Sequence, residues 1–114
     1  MNKIIIRKDL KMFLTTGDLY NKPYDILDVI SAHAVMARNM FSKMGAGFKS
    51  NFGGRIGSFE KLYEYLKEQA IQDLKLKASQ LQADGIIMVR FEFVEIPTIE
   101  AAALHVYGTA IKLQ

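Results

Sequence analysis

The residues of this chain best suited to chemistry are few, and thiols are not among them. There are no cysteines, which removes disulfides, thiolate nucleophiles and sulfur-rich zinc sites together. The soft metal ligands that remain are His33, His105 and six methionines. Met36, Met40 and Met44 recur at every fourth position. On a helix that spacing could line a site for a soft cation such as Cu(I), and it equally fills a core or a subunit interface. His33 and His105 each fall within a strand-like stretch. On neighbouring strands the two rings would approach and could share a metal ion, whereas a lone histidine in an apolar strand also serves as a hydrogen-bonded packing residue. A metal ion is the one cofactor these residues suggest, and the lack of thiolates disfavours it.

Two further groupings could bind anions. Gly53, Gly54 and Arg55, followed by Ile56, Gly57 and Ser58, stand just ahead of a helical pattern. Free backbone N–H groups, a helix N-terminus and a guanidinium suit a phosphate or a carboxylate. The spacing is neither a Walker loop nor a dinucleotide fingerprint, and the same glycines suit a tight connection packed against a sheet. Around this loop, residues 38–55 hold Arg38, Lys43, Lys49 and Arg55 with no acid, interleaved with Phe41, Phe48 and Phe52. Basic and aromatic residues in alternation could bind a single-stranded nucleic acid through phosphate contacts and base stacking. The alternative is that the rings bury while the basic heads stay in water. Catalysis finds less support. Ser31 and His33 alternate on one strand face, but Asp28 belongs to the other, so no nucleophile, base and orienting carboxylate line up. Arg90 and Glu92 share a face and are expected to form an ion pair.

The elements that must position these residues are more legible. Residues 3–14 alternate loosely and suggest one or two short strands. Thr15 to Asp18 and Asn21 to Pro23 carry turn chemistry. Residues 26–36, ILDVISAHAVM, are rich in β-branched and small residues and read as a strand covered on both faces. In residues 38–54, Met40, Met44, Phe48 and Phe52 keep four-residue spacing, but Gly45 and Gly47 interrupt it, which suggests a short, broken helix. Ser58 reads as the N-cap of the strongest element. From it, Leu62, Tyr63, Leu66, Ala70, Leu74, Ala78 and Leu81 form one apolar stripe. That helix is expected to end near Gln82 or Ala83, with Gly85 supplying the backbone freedom to turn. Beyond it, Ile87, Val89, Phe91 and Phe93 alternate with Ile86, Met88, Arg90, Glu92 and Val94 as in a strand ended by Pro97. Residues 100–113 read as a last strand, antiparallel to the one before.

Strand, long helix, strand, strand gives an α+β fold, with one helix laid across an antiparallel sheet. The last strand places small or apolar residues on both its faces, and one helix covers only one of them. Another copy of the chain is the economical cover for the other.

At 114 residues the chain fits a single domain, 1–114. Residues 1–57 hold nine Lys/Arg against four Asp/Glu, a balance of +5, and residues 58–114 six against eight, a balance of −2. Such asymmetry fits an anionic partner or a complementary surface on another subunit. No apolar run approaches the ~18 residues of a spanning helix, and no secretory signal is evident. A cytoplasmic protein with no membrane contact is expected.

Several short motifs carry a resemblance. They are Leu14-Thr15-Thr16, Gly53-Gly54-Arg55 followed by Phe59-Glu60, Ala83-Asp84-Gly85-Ile86 running on to Phe91, and Tyr107-Gly108-Thr109-Ala110-Ile111. In this order and spacing the chain resembles, over about residues 12–113, the YbjQ-like family, also called the "putative heavy-metal-binding domain" family. The resemblance implies a dodecin-like βαββ subunit, a homo-oligomeric ring of five or ten copies, and no established enzymatic activity. Any small ligand is left unnamed by it.

Overall fold

The structure, a computed structural model, describes residues 12–37, 39–40 and 55–114. Its long helix, α1, runs from Arg55 to Gln80. It starts three residues earlier than the N-cap expected at Ser58, which therefore lies inside the first turns. The stripe behaves as its spacing demands: Leu62, Leu66, Ala70, Leu74 and Ala78 are all buried. Three leucines fill volume, while two alanines let the helix approach the sheet closely. Tyr63 is half-buried, and Leu81 falls beyond the helix and is exposed.

The helix ends by a different device from the one expected. Gln82, not Gly85, takes the left-handed conformation, at φ 62°. The Gln82 N–H donates to the Ser79 carbonyl at 2.9 Å and the Ala83 N–H to the Ala78 carbonyl at 3.0 Å. These are the two bonds that close a Schellman turn and satisfy the last helical carbonyls. Asp84 then fixes the joint to the sheet. Its N–H donates to the Ile111 carbonyl at 2.8 Å, its carboxylate accepts the Leu113 N–H at 2.7 Å, and Lys112 lies 3.8 Å away. Gly85 makes room for a side chain instead. The Phe13 ring lies over it, in the space a Cβ would need.

Among the described residues four strands form one sheet: β1 (Phe13–Leu14), β2 (Tyr24–Ala37), β3 (Gly85–Ile96) and β4 (Ala101–Leu113), in the order β1-β3-β4-β2. β4 is antiparallel to both of its long neighbours. β1 pairs in parallel with β3, so the sheet is mixed rather than wholly antiparallel. A 3-10 turn, Pro97–Ile99, and Glu100 at φ 48° connect β3 to β4. Among the described residues no helix is long and apolar enough to cross a membrane.

A bulge sets the phase of β3. Ile87 is opposite Thr109 and Arg90 opposite Tyr107, so Met88 and Val89 share the single partner position of Gly108. Met88 takes the left-handed conformation at φ 56°. A Cβ on Gly108 would meet Ile86 Cγ2 at 2.8 Å and the Ile87 carbonyl oxygen at 3.1 Å, so glycine suits the position opposite the bulge. The bulge reverses the alternation expected at its start. Ile86, not Ile87, joins Val89 and Phe91 toward the helix.

The core lies between α1 and one sheet face, where Leu62, Leu66 and Leu74 meet Ile30, Ile86, Val89, Leu104 and Val106. β2 is not covered on both faces as expected. Ile30 and Ala32 are buried toward the helix, while Val29 and Val35 on the other side are 70% and 60% exposed. Its β-branched run reflects strand propensity and one buried face, and no described residue covers the second. Leu66→Ala removes a fully buried side chain at the centre of this core. It should cost about 2–5 kcal/mol, read as a lower denaturation midpoint with an unchanged slope on denaturant.

Candidate functional site

The chemistry-bearing residues converge on the sheet face away from the helix. β4 is central, so its register aligns all three long strands. His33 lies opposite His105, and His105 opposite Glu92. The two imidazoles stack, with ring centres 4.4 Å apart and planes only 4° apart. His105 Nδ1 is 3.7 Å from the Glu92 carboxylate, and the Tyr107 ring flanks His105 at 5.3 Å. The result is a polar row of imidazole, imidazole and carboxylate across three strands. Val35 and Val94 border it on the side toward Pro97, and Ser31, Tyr107 and Arg90 form the next row on the other side.

The expected approach of His33 and His105 therefore occurs, but as a stack. Ring-nitrogen lone pairs lie in the ring planes, so two parallel stacked rings do not aim at one ion between them. No three His, Asp or Glu side chains are placed to hold a metal among the described residues. Without thiolates, this donor set does not fit a soft metal ion within one chain. The methionine series does not share a helix either. Met36 is in β2 and packs toward the core, whereas Met40 is exposed in a helical segment after it. Met44 lies outside the described residues.

Other expectations resolve differently. Arg90 and Glu92 do share a face, but Arg90 donates to the Thr16 carbonyl at 2.8 Å and the Val89 carbonyl at 2.9 Å, while Glu92 lies against His105. Asp28 stays apart from Ser31 and His33 as expected: it is opposite Ala110, on the helix side, and accepts the Val29 N–H at 2.8 Å. Of the anion-binding group, Gly53 and Gly54 lie outside the described residues, and only the backbone of Arg55 and Ser58 is described, both as helix. Arg38, Lys43 and Lys49 of the basic patch also lie outside them.

No local pattern marks a cleft of about 260 Å³ where the start of α1 meets the β3–β4 turn. Leu62, Ala101 and Pro97 supply apolar walls, and Tyr63, Glu95 and Glu100 supply polar groups. The Tyr63 hydroxyl donates to the Glu95 carboxylate at 2.7 Å, and that carboxylate holds the phenol pKa above its ordinary value. Residues so distant in sequence meet only through the fold.

The stacked pair makes a direct prediction. Protein exposed to Zn²⁺ or Cu²⁺ and then dialysed should retain substoichiometric metal by elemental analysis, and His33→Ala should leave that amount unchanged. One retained ion per chain, lost in His33→Ala, would contradict the geometric argument.

Comparison with known proteins agrees with this architecture. A family model described as "Putative heavy-metal-binding" matches residues 12–114. A UPF0145 protein of Enterococcus faecalis is 36% identical over 98 residues, covering 86% of this chain and 94% of the relative. A UPF0145 protein of Pseudomonas entomophila is 36% identical over 103 residues, covering 88% and 96%. The crystal structure of a protein of unknown function from Pediococcus pentosaceus, of the DUF74 family, superposes with a TM-score of 0.65 at 29% identity, covering 90% of this chain and 98% of that one. None of these names is that of an enzyme. The mixed sheet, the long helix across it and these matches together place the chain in the YbjQ-like family.

Proposed function

We propose that the protein is a non-enzymatic homo-oligomer, a ring of five copies or a pair of such rings, and that its working surface is the sheet face away from the helix. The observation that carries this reading is that the described residues cover the sheet on one side only. α1 buries one face, while the other presents Val29, Val35 and Val94, each at least half exposed, around the His33–His105–Glu92 row. Exposed valines are costly to leave in water, at roughly 25 cal/mol per Å² of apolar area, and a repeated copy of the chain covers them most simply. The mixture of apolar walls with a few polar groups suits binding of a small ligand in the enclosed space. The heavy-metal description of the family gains no support from the donor set among the described residues.

Native mass spectrometry of freshly purified protein tests the proposal. A pentamer or decamer is the expected result, and an additional mass per chain or per ring would identify the ligand class. A monomer across the accessible concentration range would overturn the oligomer reading.

A further inference from the structure

Among the described residues the sheet has two open edges, and they match. On one flank β1 and the following loop cover β3 only at its beginning. Leu14 pairs with Ile86, and the N–H groups of Met88 and Val89 donate to the carbonyls of Gly17 and Thr15, each at 3.0 Å. From residue 90 to residue 96 no described segment pairs with the outer edge of β3. On the other flank β2 pairs, among the described residues, only with β4. Its first half is guarded. Asp25 and Asp28 put charge there, a register shift interrupts it between Ile26 and Asp28, and the outward Val29 N–H is taken by Asp28. Lys77 donates to the Ser31 carbonyl at 2.7 Å. Beyond Ser31, residues 32–37 are AHAVMA, with no lysine, proline, carboxylate or bulge to discourage pairing.

The two open stretches are level, because the register across β4 aligns residues 90–96 of β3 with residues 31–37 of β2. They also run in the same direction, both antiparallel to β4. The hydrogen-bonding phase agrees as well. The outward Val29 N–H and Ser31 carbonyl imply that His33, Val35 and Ala37 point their backbone groups outward too, since an antiparallel ladder alternates. By the same alternation across β4, the outward residues of β3 are Phe91, Phe93 and Glu95. A parallel pairing that sets His33 opposite Glu92 brings these two sets together and keeps each side chain on its own sheet face.

We propose that residues 31–37 of β2 pair in parallel with residues 90–96 of β3 in the next copy of this chain. This inference rests on the oligomer reading above and adds a lateral contact to it, between strand edges rather than over the open face. Edges on opposite flanks make the interface heterologous, and a ring closed by its repetition leaves neither edge free. The side chains are complementary. Glu92, already beside His105, gains His33 of the neighbouring copy on its other side. Val94 meets Val35, and the half-exposed ring of Phe93 lands beside Ala34. Ring closure can add a stagger, but only by an even number of residues, because an odd shift would turn every side chain to the wrong face.

Cysteine pairs test this in a chain that has no cysteine of its own. Val94→Cys is combined in turn with His33→Cys, Val35→Cys and Ala37→Cys, to cover the allowed staggers. Within one chain β4 lies between these positions, so they are at least about 9–10 Å apart, too far for a disulfide. Mild oxidation should convert at least one pair into a ladder of covalent species that ends at the subunit number of the native ring, while each single variant gives dimers at most. A ring that persists by native mass spectrometry with no ladder from any pair would overturn the edge pairing and leave the oligomer reading intact. A monomer would overturn both. As a second variant, Val35→Pro removes an outward N–H and spares the ladder to β4. It should dissociate the ring with the circular-dichroism spectrum kept, and an intact ring would count against the proposal.

Discussion

β4 is the constraint on which the rest of the structure depends. It is hydrogen-bonded along nearly its whole length on both flanks, and Leu104, Val106 and Ala110 seat the helix on one of its faces. Once its register is fixed, β2 and β3 are aligned with each other through it. The histidine stack, the neighbouring carboxylate and the level of the two open edges all follow. The clamp of Asp84 on Ile111 and Leu113 ties the end of α1 to the end of β4, so helix and sheet cannot slide independently. A single helix of this width covers one face of three long strands and no more. The open face and the open edges are therefore two consequences of one architecture.

The strong periodicities are readable in the sequence. The five buried helix positions, the final antiparallel pair and the helix-to-strand joint all follow from spacing and composition, because each is a local pattern backed by burial. What escapes depends on contacts between distant segments. The bulge at Met88 and Val89 is marked in sequence only by Gly108, twenty residues downstream, and nothing local to β3 signals it. Glutamine at the left-handed position of the helix end also escapes a rule that looks for glycine. Here the tertiary clamp at Asp84 holds the turn in place. The parallel pairing of β1 rests on two residues, too few for a periodic signal.

The candidate site is half legible. His33 and His105 each fall on a strand, and their juxtaposition follows if those strands are neighbours. The stack and the Glu92 contact need the register, which sequence alone leaves open. The exposure of β2 is hidden because β-branched, small residues serve equally in a doubly covered strand and in one that waits for a neighbouring chain. That ambiguity has a physical basis: the residues that make a strand a good buried element also make it a good interface. Charge arrangement separates the two, since the acids of β2 are confined to its first half and the open stretch beyond has none.

The pairing proposed above requires the outer edges of β2 and β3 to be hydrogen-bonded in the assembled protein, although no described residue of one chain bonds them. Amide hydrogen exchange resolved by residue tests this most directly. With the edges paired, His33, Val35, Phe93 and Glu95 should exchange as slowly as Leu104 and Val106 in the middle of the sheet. Exchange at these four amides as fast as in the exposed turn of residues 18–22, with Leu104 and Val106 still protected, would contradict it.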